Sequence, residues 1–314
     1  MTEAPVPILL HIGYHKTGTS WLQQRVFNDP GYGFTTPWTS MQIANHLILP
    51  HELEFSVDAA RASLAAGIDL PEGLVPVLTW ERLSGSPHAG GFDSALIARR
   101  LSAVFPGGRV LIVVREQRSA ILALYQQYVR DGGIATLEGY LRPRNPAEIP
   151  QFRFEHLEYD RLVAYYHSLF GAESVLTLAY ERLRSDPTDF LRRIREFVGL
   201  GSTGCCGVPN EVVNASFKAG TIALKRWANQ WFVRNSLSPG ARYYVKDHER
   251  RFAIIDHYVP SSWSRRLQDR WAARIDELVG DRYEASNARL AELTGEPLGK
   301  FGYALSRPPA VTSP

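Results

Sequence analysis

One stretch near the amino terminus, residues 7–24, constrains the fold of this 314-residue chain more than any other. Its apolar run from Ile8 to Ile12 predicts a short buried strand. A polar loop that contains a glycine follows, His15-Lys16-Thr17-Gly18-Thr19-Ser20, and Trp21 then opens a segment that is predicted to be helical. Such a strand, loop and helix start present free backbone N–H groups and the positive end of the helix dipole. The stretch therefore predicts an anion-binding site.

Lys16 is conspicuous in this loop because lysine is rare in the chain. Of 35 Lys plus Arg residues only five are lysines, and none other precedes Lys218. A compact ammonium suits a phosphate or sulfuryl oxygen, so Lys16 is the candidate catalytic cation, and the alternative is a lysine on a plain surface turn. The loop is expected to be exposed. It is not a Walker A loop, because Lys16 precedes Gly18 instead of following the second glycine.

The sequence from Lys16 to Leu22, Lys-Thr-Gly-Thr-Ser-Trp-Leu, resembles the 5′-phosphosulfate loop of sulfotransferases that use 3′-phosphoadenosine 5′-phosphosulfate (PAPS). The resemblance implies that residues 15–20 hold the phosphosulfate. Residues 180–187 and the helix predicted after them resemble a family segment whose tyrosine lies near the adenine. Tyr180 is therefore assigned either to the adenine or to the core. Residues 283–303 resemble the carboxyl-terminal ends of bacterial members.

The strand-like run 109–114, followed by Arg115 and a helix, resembles the 3′-phosphate site of the same family. That family has a serine eight residues after the arginine, where this chain has Ala123. Ser119 lies on the same helical face, one turn closer to the loop. The resemblance therefore implies a cofactor site that contains Arg115, Ser119 and Ala123, in which Ser119 supplies the missing hydroxyl and Arg118 adds charge.

The sequence offers three competitors for the base that takes the acceptor proton. Glu81 follows the strand-like run 74–80, at the strand end where ligands bind in open α/β sheets. Trp80-Glu81-Arg82 also resembles a Phe-Glu-Lys stretch in sulfotransferases, where the glutamate is the base; the alternative is a surface ion pair with Arg82 or another arginine. His88 ranks second, or is merely exposed to solvent. His15 is expected to orient the loop, with its pKa lowered by the charge of Lys16.

Four strand-like runs, 8–12, 74–80, 109–114 and 174–180, alternate with predicted helices. This alternation predicts an α/β fold in which helices flank both faces of a parallel sheet of four or five strands. The resemblance implies a three-layer sandwich like that of the P-loop NTPases, with helical insertions. We expect one domain over residues 1–314, with a disordered tail at 307–314.

Composition and charge exclude several classes of protein. A net charge of +3 without a dense basic run argues against nucleic-acid binding. No apolar run reaches the length of a membrane span. The amino terminus lacks the pattern of a secretory signal, and the two cysteines, Cys205 and Cys206, are adjacent and lack metal-ligand spacing. These features predict a cytoplasmic protein with free thiols.

The leading hypothesis from the sequence is a PAPS-dependent sulfotransferase that acts on a hydroxyl or amine of a sugar, lipid or other small molecule. The expected product is adenosine 3′,5′-bisphosphate (PAP), and no metal is expected to be required, since sulfuryl transfer carries less charge than phosphoryl transfer. One alternative is a small-molecule kinase on the same fold. Another, suggested by Ala123, is a degenerate sulfotransferase that binds nucleotide or glycan without turnover. The acceptor, O- versus N-sulfation and the oligomeric state stay open.

Overall fold

A computed structural model describes residues 8–66, 68, 70–142, 151–201, 216–233, 237 and 248–306. The predicted tail at 307–314 and the two cysteines lie outside these residues. Five strands within the described ranges form one parallel sheet in the order β2-β3-β1-β4-β5. They are β1 (Leu9–His11), β2 (Phe34–Thr35), β3 (Val75–Thr79), β4 (Arg109–Val114) and β5 (Val175–Ala179).

The four predicted strand regions correspond to β1, β3, β4 and β5, so the expected parallel sheet is confirmed. The fifth strand, β2, falls in a part of the sequence for which no strand was predicted. It has two residues, with Phe34 opposite Val75 and Thr35 opposite Pro76. Two residues are too few to show the alternation by which a strand is recognised in a sequence.

Helices occupy most of the remaining described chain. π-Helical turns at Gln23–Phe27 and Ala44–Ile48 extend the first two α-helices. The α-helices are α1 (Thr19–Leu22), α2 (Ser40–Ile43), α3 (Val57–Ala65), α4 (Ser94–Val104), α5 (Gln117–Arg130), α6 (Leu137–Leu141), α7 (Tyr159–Phe170), α8 (Tyr180–Ser185), α9 (Pro187–Phe197), α10 (Ala219–Phe232), α11 (His248–Tyr258), α12 (Ser261–Val279) and α13 (Glu284–Thr294). Two groups of helices add to this core: α2 and α3 lie between β2 and β3, and α10–α13 follow α9. Among the described helices, none combines the length and the apolar character that crossing a bilayer requires.

The sheet has a hydrophobic core on each face, because alternate side chains of a strand point in opposite directions. Val110 and Ile112 of β4 belong to one core, to which α4, α5 and α7 contribute. Leu111 and Val113 belong to the other, with Leu22 of α1 and residues of α9. Helices therefore cover both faces of the sheet, and the three-layer α/β sandwich is confirmed.

Parallel pairing places the carboxyl ends of the central strands at one edge of the sheet. Beyond the end of β1, the Ile12 and Tyr14 amides still bond to the carbonyls of Leu111 and Val113, at 3.0 and 3.2 Å. Gly13 is needed between them, because a Cβ there would lie 2.7 Å from Nε2 of His11. The residues that follow β1, β3, β4 and β5 consequently meet at this edge.

Candidate functional site

The loop after β1 is held in a constrained conformation. Lys16 has a φ of 67° and, of the residues that the structure describes, it is the one non-glycine with a positive φ. Backbone conformations of this kind are costly and concentrate at functional sites. Gly18 has a φ of 84°, and a Cβ there would lie 2.8 Å from Leu183 of α8. The loop is thus pressed against α8.

The expectation of an exposed loop is wrong. Thr17 and Thr19 are buried, and the Thr17 hydroxyl donates to the carbonyl of Tyr14. Thr19 Oγ1 and His15 Nδ1 are buried, and neither has a hydrogen-bond partner within the described part of the chain. The first amides of α1 also have no side-chain cap at Gly18. The Thr19 hydroxyl and these amides, at a helix start, fit an anion.

The Lys16 ammonium reaches α5. Its Nζ donates to Oε1 of Gln127, whose Nε2 donates to Oδ1 of Asp131 at 2.5 Å. Burial, followed by the charge of Arg130, lowers the pKa of Lys16, while the nearby Asp131 and Glu81 carboxylates oppose that shift. Gln127 and Asp131 were missed from the sequence. Spacing gave no signal for Gln127, because neighbouring Gln126 lies at least as close to the face of α5 that carries Ser119.

Arg115 joins the loop to α5 and α8. Its Nη1 donates to the Lys16 carbonyl at 3.0 Å, and its Nε donates to the Ser119 hydroxyl at 3.1 Å. The guanidinium carbon lies 5.2 Å from the centre of the Tyr180 ring. Ala123 lies on the same face of α5, one turn beyond Ser119. The structure therefore brings together Lys16, Arg115, Ser119 and Tyr180, which the sequence had assigned to one site.

An open cavity of about 420 Å³ lies beside Arg115. Arg118 also lines the cavity. Its Nε lies 2.9 Å from Oδ1 of Asp276, so the carboxylate partly neutralises the charge of Arg118. Glu181 bonds to the Glu116 amide and the Tyr303 hydroxyl, and burial raises the pKa of its carboxyl group. The other lining residues are Glu116, Ser119, Tyr180, Arg184, Phe301 and Gly302. The carboxyl-terminal segment thus closes one side of the cavity, which sequence reasoning did not anticipate.

Glu81 opens a short 3₁₀ turn, Glu81–Ser84, which is separated from β3 by Trp80 alone. Arg82 pairs with Asp93 at 2.5 Å and not with Glu81, so the competing interpretation of an ion pair between neighbours fails. Glu81 lies close enough to Lys16 for its charge to act on that ammonium. This leaves Glu81 as a candidate base at the sheet edge.

His88 is not merely exposed to solvent, because its side chain is only 16% accessible. Its Nδ1 lies 2.9 Å from the Tyr140 hydroxyl, and its Nε2 lies 3.9 Å from Oδ2 of Asp131. Burial, followed by the charge of Lys16, lowers the pKa of His88 to about 4. His88 is therefore neutral at physiological pH, and the lowered pKa makes it a weaker base than an ordinary histidine.

His15 belongs to the same cluster. Its pKa lies well below the usual range, as predicted, but burial is the largest cause, followed by His88 and His156, and Lys16 contributes least of those identified. The side chain is partly buried, and its Nδ1 is shielded from solvent. The role of His15 in orienting the loop stays a prediction.

Buried histidines give the protein a predictable response to acid. Burial lowers the pKa of His11 to about 3 and the pKa values of His88 and His156 to about 4. An unfolded histidine titrates near 6.5, so the unfolded state binds more protons below that pH. The free energy of unfolding should have its full value above about pH 6.5 and should decrease as the pH is lowered toward about 4. The expected decrease is up to roughly 3 kcal/mol per histidine.

Urea unfolding at a series of pH values tests this expectation. His11→Asn, which removes one buried imidazole, should flatten the dependence between about pH 6.5 and 4. An identical dependence in the variant and the wild type would show that His11 does not contribute to it.

Comparison with known proteins adds family information. Residues 95–203 match the family model described as Sulfotransferase family. No curated protein matches the sequence. Among solved structures, a sulfotransferase from Alicyclobacillus acidocaldarius is 17% identical, with a TM-score of 0.49, over 71% of this chain and 94% of that chain. Mouse sulfotransferase SULT7A1 complexed with PAP is 16% identical, with a TM-score of 0.35, over 85% of this chain and 89% of the mouse chain.

The sulfotransferase domain of the Synechococcus PCC 7002 olefin synthase is 15% identical, with a TM-score of 0.39, over 81% of this chain and 95% of that domain. These structural similarities are too weak to carry an argument about activity. The family match contains Arg115, Ser119, Ala123 and Tyr180 but ends short of the loop at 15–20. The loop and the matched region are therefore separate indications of function.

Proposed function

We propose that this chain transfers the sulfuryl group of PAPS to a hydroxyl or amine of a sugar, lipid or other small molecule, a proposal that the match of residues 95–203 to the sulfotransferase family model supports. One contact carries the proposal. Arg115, inside the matched region, donates to the carbonyl of Lys16, outside it, at 3.0 Å. Two sequence features that each resemble part of a PAPS site thus meet at one point of the fold.

The residues at the edge of the sheet where the central strands end fit the two ends of PAPS. Thr19 Oγ1 and the first amides of α1 would hold the 5′-phosphosulfate, since they are donors without partners in the described structure. Arg115 and Ser119, at the cavity of about 420 Å³, would hold the 3′-phosphate. Tyr180 would lie against the adenine. With alanine at position 123, Ser119 is the one hydroxyl that this face of α5 offers in its first two turns.

PAPS supplies an activated sulfuryl group when it is bound. Lys16 would stabilise the negative charge that develops at the leaving oxygen, because its ammonium is fixed in advance by Gln127 and needs no reorganisation. Asp131 and Glu81 oppose the lowering of the Lys16 pKa and so favour its cationic form. The loop amides would share the same charge.

Glu81 is the proposed base, with His88 second. Both lie near Lys16, since the charge of Glu81 acts on Lys16 and that of Lys16 acts on His88. Glu81 follows β3 after Trp80 alone, at the edge where the loop opens. A carboxylate there would take the acceptor proton as the acceptor oxygen or nitrogen attacks.

The first test concerns the nucleotide. PAP should raise the melting temperature, because a ligand that binds only the folded state stabilises it. 5′-AMP should raise it less, since it leaves Arg115 without a phosphate. Arg115→Gln should remove most of the difference between the two nucleotides. Equal shifts with PAP and 5′-AMP in the wild type would contradict the assignment of the 3′-phosphate to Arg115.

A second candidate function, nucleotide binding without turnover, is favoured by Ala123, which replaces a hydroxyl of the family pattern. A kinase is less well supported, since Lys16 precedes Gly18 and Arg115, not an aspartate, follows β4. The single domain and the cytoplasmic location stay predictions from the sequence.

A further inference from the structure

Helix α10 buries polar side chains and exposes large apolar ones, which a surface helix normally does not do. Thr221, Lys225 and Asn229, at helical spacing, are all 0% exposed, as is the apolar Ile222. On the other side of the helix Trp227 is 60% exposed and Trp231 is 41% exposed. Polar side chains thus line much of the inner side of this helix, and its two tryptophans face outward.

Two of these inward polar side chains, Asn229 and Lys225, have defined partners, whereas the Thr221 hydroxyl has none within the described part of the chain. Asn229 Nδ2 donates to the carbonyls of Val129 and Gly133, at 2.7 and 2.9 Å, where α5 ends. Lys225 Nζ lies 3.3 Å from Oε1 of Glu249 and 5.0 Å from the ring centre of Phe252, both in α11. The polar side of α10 is therefore committed to α5 and α11. These contacts fix the outward direction of the tryptophans.

Helix α11 repeats the pattern. Glu249 and Phe252 face α10, and Asp256 Oδ1 accepts from the Lys218 amide at 2.8 Å. On the opposite side Ile254 is 60% exposed and Tyr258 is 82% exposed. We call the outward apolar side chains of the two helices the outward face; its members are Leu224, Trp227, Trp231, Ile254, Ile255 and Tyr258.

We propose that the outward face docks on the surface of an anionic lipid bilayer. Clustered exposed apolar side chains mark sites of interaction with proteins or membranes. Trp and Tyr are the side chains that settle at the boundary between lipid and water. Helices with such a face lie on a membrane and do not cross it.

Charge favours the anionic bilayer over a second copy of the chain. Arg251 lies within the apolar stripe of α11, one turn before Ile254 and Ile255. Helix α11 also exposes Arg250, whereas its acidic residues Glu249 and Asp256 are engaged with Lys225 and the Lys218 amide. In a symmetric dimer these exposed arginines would face the same arginines of the second copy and repel them. Anionic lipid headgroups would attract each of them.

Vesicle co-sedimentation of the full chain tests the proposal, with phosphatidylcholine vesicles that contain or lack phosphatidylserine. The protein should bind the anionic vesicles preferentially, and less at high salt. Trp227→Ser with Trp231→Ser should weaken that binding roughly ten-fold or more, since the rings lose their burial in the interface. Arg250→Gln with Arg251→Gln should weaken it by about five-fold for each arginine at low salt.

Matched controls come from another part of the surface. Leu53 is 90% exposed, and Arg99, a residue of α4, pairs with Glu52. Leu53→Ser and Arg99→Gln should therefore leave vesicle binding unchanged. Melting temperatures show whether each variant folds. Arg250→Gln with Arg251→Gln is not expected to disturb folding, because both side chains are exposed.

Absence of binding to anionic vesicles, or equal binding to neutral ones, would overturn the proposal. So would equal losses in the outward-face and control variants. Analytical ultracentrifugation provides a further outcome: a dimer that dissociates when Trp227 and Trp231 are replaced would assign the face to a second copy. The inference does not depend on the proposed enzymatic function.

Discussion

Lys16→Met should lower kcat for sulfuryl transfer by roughly 10²-fold or more, as for the loss of one group that stabilises developing charge. Methionine keeps nearly the length of lysine but removes the ammonium that Gln127 holds in place. The affinity for PAP should change much less, because Arg115 and the loop amides remain. Single-turnover transfer and calorimetric titration with PAP measure the two effects separately.

Gln127→Leu is the matched control for this variant. It preserves the charge of Lys16 but removes the acceptor that fixes its position, so a loss smaller than that of Lys16→Met is expected. Because Thr17 and Thr19 are buried, melting temperatures are needed to show that the loop stays folded. Transfer by Lys16→Met within a few-fold of the wild type would show that Lys16 is not catalytic.

Glu81→Gln should reduce transfer by roughly 10²–10⁴-fold, because the amide keeps the shape of the side chain but cannot accept the acceptor proton. Nucleotide affinity should stay intact, since the residues that would hold PAPS are elsewhere. Single-turnover rates measured alongside calorimetric affinities provide the test.

His88→Ala is the comparison, because His88 is the neutral competitor near Lys16. A modest loss is expected, from the missing contact with Tyr140. Wild-type transfer by Glu81→Gln, together with collapse in His88→Ala, would assign the base to His88. Loss of nucleotide binding in Glu81→Gln would make Glu81 a structural residue.

The parts of the site that the sequence predicted are those encoded by short segments at strand ends. The loop at 15–20, Arg115 and Tyr180 each follow a buried strand, and parallel pairing then brings them to one edge. Their proximity needed only the strand assignments. Their roles in binding and catalysis stay predictions.

The parts that the sequence did not predict depend on contacts between distant segments. Gln127 accepts a hydrogen bond from Lys16, although the two residues are 111 positions apart in the sequence. No local pattern distinguishes Gln127 from neighbouring Gln126. Burial of the loop and of His88 likewise follows from the packing of α5 and α8. The outward direction of the α10 tryptophans was not predicted, because their spacing resembles that of a core-facing helix.

The most direct test of the proposed function is transfer of radiosulfur from labelled PAPS to the small molecules and lipids of a cell extract, with the wild type and Lys16→Met side by side. The label distinguishes sulfuryl from phosphoryl transfer. The account predicts labelled products that depend on the wild-type protein and are strongly diminished with Lys16→Met. No labelled product from a protein that binds PAP tightly would contradict it, and would favour nucleotide binding without turnover.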